Sequence, residues 1–227
     1  MSEENLKQIA KGSEAGAQKG QKSGYEKIYD WVVESLVDFD LEANAEPLGL
    51  KIHPEGGVVV SLFGRDYLVT NSGAKALDGQ RTSFNHLSLV AHYAMSQGRS
   101  PASGDFMKLS ALSGIPAGTA SGGYDRNALS MPLVKRFGHD PEALEEAVMK
   151  LGGRREAKSA GPTREYLFEA FPKIPLKLIF EEADEEFEPD FHVMFDSRSI
   201  EYMEFEALGF LGGILIHDLL GQKENYK

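Results

Sequence analysis

Cysteine is absent from all 227 residues of the chain. Its absence excludes thiol nucleophiles, cysteine-ligated zinc, cysteine-bound iron–sulfur clusters and disulfides within this chain. Long hydrophobic runs are also missing, since the longest spans residues 207–216 and a membrane helix needs about 20 residues. Residues 1–23 are polar and lack the apolar core of a secretory signal. These shortages predict a cytoplasmic protein that does not bind a membrane.

Basic residues are scarce relative to acidic ones. The chain has 24 Lys and Arg against 35 Asp and Glu, for a net charge of −11. Residues 181–206 contain eleven carboxylates and a single arginine, so this stretch carries nearly the whole excess. A nucleic-acid backbone would be repelled by such a surface. The charge therefore predicts no binding to nucleic acid and favours a basic partner.

What is present indicates one globular domain with short flexible ends. Residues 1–23 are rich in Lys, Gln, Gly, Ala and Ser, a composition that buries too little apolar surface to offset the entropy of ordering. We expect a flexible or frayed segment over 1–23, a single α+β domain over 24–220 and a tail over 221–227. A domain of this length can bury a full core without disulfides or structural metal.

Apolar spacing predicts the order of helices and strands. Three short apolar runs separated by glycine-containing turns favour a β-meander, and two later runs favour a β-hairpin. Helical spacing of apolar residues predicts about five helices packed on this antiparallel sheet. The meander is expected at 48–53, 58–63 and 66–70, the hairpin at 175–182 and 191–197, and the helices at 25–40, 83–98, 125–137, 141–151 and 203–220. Pro132 is expected either to kink its helix or to mark where it starts.

The acidic loop of the predicted hairpin, residues 183–190, is the first candidate site. Asp184, Glu185 and Glu186, with Asp196 and His192 on the following strand, could hold a divalent cation such as Ca²⁺ or Mg²⁺. The loop does not fit a calcium-binding helix–loop–helix, because Pro189 and Phe195 stand where glycine and glutamate are required. The alternatives are a solvated acidic turn and a docking surface for a basic partner.

The second helix carries the other candidate, His92 followed by Tyr93. These two side chains could reach a ligand pocket between this helix and the sheet, although a lone histidine in such a place is commonly structural. A third segment, residues 118–123, is rich in glycine and precedes a helix. Its backbone amides could cradle an anion, or it could be a flexible surface loop.

Two stretches carry a resemblance to a known family. They are HLSLVAHYAMSQGRSPASGDFMKLSAL (86–112) and FPKIPLKLIFEEADEEFEPDFHVMF (171–195), and the likeness extends to 48–69 and 133–153. The chain resembles domain-of-unknown-function family 3786, found in anaerobic bacteria and archaea. The resemblance implies no assigned activity. Some relatives carry an added cysteine-rich iron–sulfur domain of the kind seen in corrinoid proteins of one-carbon metabolism, which this chain lacks.

We therefore expect a non-catalytic binding or accessory module in anaerobic cofactor or redox metabolism, with corrinoid-linked one-carbon metabolism as one setting. Its partner would be a basic protein or an iron–sulfur protein. Two alternatives stay open. One is a metal-dependent enzyme that uses the carboxylate cluster of the hairpin with His192, and the other is a small-molecule or corrinoid pocket with His92 as ligand.

Overall fold

The computed structural model of the chain describes residues 23–112, 123–156 and 162–221. Nearly all of segment 1–23, of the glycine-rich segment 118–123 and of the tail 221–227 therefore lies outside the described residues. Within the described ranges the chain forms two antiparallel sheets and seven α-helices, with one π-helical and one 3₁₀-helical turn. The predicted α+β class with mainly antiparallel sheet is confirmed.

The first sheet is a four-stranded meander, where the sequence pattern predicted three strands. Its strands are β1 (Lys51–Ile52), β2 (Val58–Leu62), β3 (Arg65–Thr70) and β4 (Gly73–Ala76), paired in that order. Strand β4 consists of Gly, Ala and Lys, which have low strand propensity. It forms because its backbone pairs along β3, from Gly73 opposite Thr70 to Ala76 opposite Tyr67.

The second sheet has five strands in the spatial order β5-β9-β8-β7-β6. The predicted hairpin is β8 with β9, and the short strand β5 pairs with the outer edge of β9. Strand β7 was not predicted, although it alternates buried and partly exposed residues over most of its length. The bounds are β5 (Phe106–Lys108), β6 (Arg154–Arg155), β7 (Thr163–Phe171), β8 (Ile174–Glu181) and β9 (Asp190–Asp196).

The five predicted helices are present and begin near the residues that the sequence indicated, whereas the four-residue helices Ala45–Leu48 and Leu109–Leu112 were not predicted. Ser23 Oγ accepts a hydrogen bond from the amide of Glu26 at 3.1 Å and so caps the first helix. Pro132 lies in the first turn of its helix, which confirms that it marks a start, and a π-helical turn (Asp125–Ser130) precedes it. The helices are α1 (Gly24–Leu36), α2 (Ala45–Leu48), α3 (Phe84–Ala94), α4 (Leu109–Leu112), α5 (Met131–Phe137), α6 (Pro141–Lys150) and α7 (Phe205–Leu219). A 3₁₀ turn (Ser199–Glu201) precedes α7.

One continuous hydrophobic core joins both sheets to the helices. The turn between β2 and β3 connects the sheets, because the amide of Phe63 donates to the carbonyl of Ala170 at 3.0 Å. Phe63 adopts a φ of 48°, which is uncommon for a bulky residue. Its ring packs edge-on against Phe168 with centroids 6.3 Å apart, and this contact offsets part of the backbone strain.

Helix α3 is the buried centre of the helical side of the molecule. Seven of its eleven residues are buried, and it contacts β2, β3 and β4 as well as helices α1 and α7. Helix α7 approaches the second sheet closely at Gly212, where an added Cβ would lie 3.0 Å from the ring of Phe195. None of the described helices is long and apolar enough to cross a membrane.

Candidate functional site

The five residues of the predicted metal site do not converge in the structure. Asp184 Oδ1 accepts hydrogen bonds from the amides of Glu186 and Phe187, both at 2.8 Å, and so closes the turn of the loop. The side chains of Glu185 and Glu186 are exposed. Within the described residues, no group of three or more His, Asp and Glu side chains is placed to hold a metal ion. The sequence proximity of these carboxylates therefore does not become a coordination sphere.

Asp196 is the last residue of β9, at the opposite end of the strand from the acidic loop, and is only 1% exposed. Its carboxylate accepts hydrogen bonds from the amides of Ser103 (3.1 Å), Gly104 (2.7 Å) and Arg198 (3.0 Å) and from Ser103 Oγ (3.0 Å). Burial alone would raise the pKa of this carboxyl, but the amides and the Ser103 hydroxyl outweigh it and lower the pKa. Asp196 thus fastens the loop before β5 to the end of β9.

His192 contacts neither Asp184 nor Asp196. Its Nε2 lies 3.7 Å from Glu181 Oε2 and 4.0 Å from Asp190 Oδ2. It lines a polar pocket of about 700 Å³, partly open to solvent, beside the π-helical turn. In that pocket Ser130 Oγ donates to Asp190 Oδ1 at 2.7 Å. The hydroxyl of Ser130 thus donates to the carboxylate of Asp190 and not to the imidazole of His192. Ser130 and His192 are therefore not arranged as a serine nucleophile with its general base.

Tyr93 is entirely buried, so it does not reach a ligand at the surface. Its hydroxyl donates to the carbonyl of Leu48 at 3.0 Å and accepts from the amide of Lys173 at 3.1 Å. Its ring stacks on Phe171 with centroids 4.4 Å apart. Tyr93 therefore joins α2, α3 and the β7–β8 turn within the core. Of the predicted pair, the structure brings only His92 to a cavity.

His92 lines an apolar groove that runs between α1, α3 and α7. We call it the aromatic groove. The groove is shallow and partly open to solvent, and the volume that a water molecule can occupy in it is about 70 Å³, below the roughly 300 Å³ of the smallest sites for drug-sized ligands. Its wall is formed by apolar side chains with a few polar groups among them. The lining residues are Ile28, Trp31 and Val32 of α1, Asn85, Ser88, Leu89 and His92 of α3, Glu204 at the start of α7, and Glu206, Ala207 and Phe210 of α7.

Two polar side chains on the floor of the groove have no hydrogen-bond partner within residues 23–112, 123–156 and 162–221. Ser88 is 9% exposed, and its Oγ is buried without a partner. The described residues also provide no hydrogen bond to the ring of His92. Burial lowers the pKa of His92, and the nearby carboxylate of Glu204 offsets this only in part. At neutral pH the groove therefore presents a neutral imidazole and a hydroxyl whose hydrogen-bonding capacity is unused.

Large exposed aromatic side chains extend the groove into a wider patch. Trp31 is 45% exposed and Phe210 is 41% exposed. The rings of Tyr25 and Phe210 pack edge to face, with their centroids 6.3 Å apart. Phe84, at the start of α3, is also exposed and packs on Tyr29. Tyr25, Trp31 and Phe210 thus form exposed aromatic surface at the groove, and surface of this kind is characteristic of sites where proteins interact.

Sequence reasoning missed Trp31 and Phe210. Trp31 recurs at helical spacing with other apolar residues of the first helix, and that spacing does not show whether the face will be covered in the fold. Phe210 was not assigned to the buried face of α7. The sequence of α7 is apolar on almost all of its circumference, whereas a helix that packs on one side needs apolar residues on only one face. This excess of apolar residues could have indicated that Phe210 belongs to a second contact surface.

Comparison with known proteins places the chain in one family. The family model described as Domain of unknown function (DUF3786) matches residues 40–218. The match includes α3 and most of α7, whereas α1, with Trp31, precedes the matched range. No curated protein matches the chain. No solved structure matches it either.

Proposed function

The chain belongs to domain-of-unknown-function family 3786, and we propose that it is a non-catalytic accessory module that binds an apolar segment of a partner protein in the aromatic groove. The observation that carries this proposal is the groove itself, with Trp31 and Phe210 both more than two-fifths exposed on its opposite walls. Leaving this much aromatic surface in water costs free energy that a partner would recover on binding.

The extent of the apolar surface favours a protein over a small molecule as the occupant. A small ligand would cover the floor around His92 and Leu89 but would leave Tyr25 and Phe84 in solvent. Tryptophan, tyrosine and phenylalanine are enriched in the centres of protein interfaces, where they supply most of the binding free energy. The expected setting is anaerobic cofactor or redox metabolism, on the family resemblance alone, with a basic or iron–sulfur protein as the partner.

Trp31 provides a direct measurement, because it is the only tryptophan of the chain. Its emission should shift to shorter wavelength when an apolar segment covers the groove. The probe is an uncharged amphipathic peptide of about four helical turns, with leucine on one face and glutamine on the other. We expect saturable binding in the micromolar range, typical of a small interface.

Two phenylalanine variants test the location of this binding. Phe210→Asp places a charge in the groove and should weaken the peptide at least tenfold. Phe187→Asp is the matched control, because Phe187 is 68% exposed in the acidic loop, away from the groove, and this variant should bind as the unmodified chain does. Absence of any emission change, or equal weakening in both variants, would overturn the proposal.

His92 favours a second candidate, a metal-centred apolar cofactor such as a corrinoid. A neutral imidazole without a hydrogen bond fits as a metal ligand, and the residues around it are apolar. The chemistry would then belong to the cofactor, and this chain would supply one metal ligand and part of the apolar surface around the cofactor. Titration of a corrinoid with the protein tests it, and an unchanged visible spectrum would eliminate it.

A further inference from the structure

The carboxylates of Glu204 and Glu206 line the aromatic groove and are not used by the fold. Glu204 occupies the N-cap position of α7, but its side chain makes no capping hydrogen bond. In the part of the chain that the structure describes, neither carboxylate forms an ion pair. No lysine or arginine is among the described residues that line the groove. An apolar site thus carries at one end two carboxylates that have no ion-pair partner among the described residues.

These carboxylates argue against a second copy of the chain as the occupant. Each copy carries a net charge of −11, and pairing two grooves face to face would bring like charges together. Juxtaposed like charges at an interface disfavour association. The negative potential of these carboxylates would instead raise the association rate of a basic partner and favour one binding register.

Three helices surround the groove, with α3 as its floor and α1 and α7 as its walls. Apolar grooves of this form bind an amphipathic helix, whose residues at helical spacing enter the groove while its flanks stay in water. We infer that the occupant is an amphipathic α-helix of a partner protein, with Lys or Arg beside its apolar face to pair with Glu204 and Glu206. This inference rests on the proposed function and names the partner of the same site.

The test compares three peptides with the same leucine face, followed by the emission of Trp31 in the full chain. Their polar faces carry glutamine, lysine or glutamate. We expect the lysine peptide to bind about three- to tenfold more tightly than the glutamine peptide, as two partly solvated ion pairs allow. The glutamate peptide should bind more weakly than either, and the advantage of lysine should fall as salt is raised.

The variant Glu204→Gln/Glu206→Gln should remove the preference for lysine, so that the lysine and glutamine peptides bind this variant with equal affinity. The matched control is Glu185→Gln/Glu186→Gln, which removes two exposed carboxylates from the acidic loop and should preserve the preference. Circular dichroism of the bound lysine peptide should show a gain of helix, and proline placed in its middle should abolish binding.

The outcomes separate the two proposals. Equal binding of all three peptides would overturn the charge inference while leaving the groove as a binding site. Loss of the lysine preference in both pairs of variants would show general attraction to an acidic protein and would also overturn it. An emission maximum typical of a buried indole in the free chain would show that the chain covers its own groove, with residues 1–22 as the candidate, and would overturn the partner helix.

Discussion

The aromatic groove and the acidic hairpin formed by β8, β9 and the loop between them show opposite relations between sequence and structure. The hairpin concentrates charge within a few consecutive residues, yet its carboxylates separate into a loop turn, a buried hydrogen-bonded group and exposed side chains. The groove brings together residues from three distant segments, of which only His92 was a candidate beforehand. Candidate residues that are close together in the sequence therefore need not be close together in space when their segment is an extended strand or loop.

The physical reason lies in the geometry of the strand. Side chains four positions apart on β9 (Asp190–Asp196) share a face of the sheet, but a strand rises about 3.3 Å per residue. His192 and Asp196 are therefore separated by roughly 13 Å along the strand, too far to share a ligand. A loop exposed to water gains nothing from gathering like charges. On a helix, residues four positions apart share a face, so Ser88 and His92 both face the groove.

The largest predicted effect separates two carboxylates of the hairpin region. Asp196→Ala removes a group that accepts four hydrogen bonds and leaves three amides without that partner, so we expect a loss of about 3 kcal/mol in the free energy of unfolding. Glu185→Ala changes an exposed side chain and should alter stability by less than about 0.5 kcal/mol. Urea unfolding measures both, and equal losses would contradict the structural role of Asp196.

The same carboxylate should contribute to acid sensitivity. Its pKa is lowered in the folded protein, so its stabilisation is present above the pKa of the unfolded chain, about 3.9. That stabilisation is lost as pH falls through the lower folded value. The difference in stability between the unmodified chain and Asp196→Asn should therefore shrink as the pH falls below about 4. A difference that stays constant to the lowest pH would argue against a lowered pKa.

The second prediction compares two neighbours in α3. Tyr93→Phe deletes the hydroxyl that pairs with Leu48 and Lys173 in the core, and should cost about 1–2 kcal/mol of stability. Peptide binding to the groove should not change, because Tyr93 does not line it. His92→Gln should show the reverse, with altered peptide affinity at little cost in stability. Thermal unfolding and Trp31 emission measure the two quantities separately.

The third prediction concerns the protonation of His92. Because burial lowers its pKa below 6.5, the folded protein binds a proton at this site less readily than the unfolded chain does. Stability should therefore decrease as pH falls from about 6.5 toward the folded pKa, and should be unaffected by this group above that range. His92→Gln should flatten this part of the profile. An NMR titration that gives His92 a normal or raised pKa would contradict the expectation.

The smallest expected effect is that of divalent cations on the acidic loop. Its carboxylates do not form a group able to hold a metal, so millimolar Mg²⁺, Mn²⁺ or Ca²⁺ should change the melting temperature by less than about 1 °C. A rise of several degrees that disappears in Asp184→Asn would restore the predicted metal site. The comparison between groove and hairpin would then have to be revised.

Patterns within one segment were predictable in this protein. Helix α3 and the β8–β9 hairpin follow from local spacing. The hairpin strands lie within one residue of the expected bounds, whereas α3 begins one residue later and ends four residues earlier than expected. Strand β4 was not predictable from propensity, because it exists through pairing with β3. Strand β7 was missed, because its sequence TREYLFEAF does not alternate apolar and polar residues and its alternation of buried positions exists only in the folded sheet.

The candidate site was less predictable than the fold. His92 was identified as a candidate, while Tyr93 beside it proved to be a core residue because α3 is buried on most of its circumference. Trp31 and Phe210 could not be assigned to a groove, because whether a helix face is covered depends on what packs against it.

The sequence by itself determined the α+β class, the concentration of negative charge and the exclusion of thiol chemistry, since these depend on composition and on local periodicity. Only the tertiary structure decided that Asp196 is buried and hydrogen-bonded, that Asp184 closes a turn, and that α1 and α7 leave α3 uncovered between them. Those outcomes depend on contacts between residues far apart in the chain. Such contacts are set by the packing of the whole core, which no local pattern encodes.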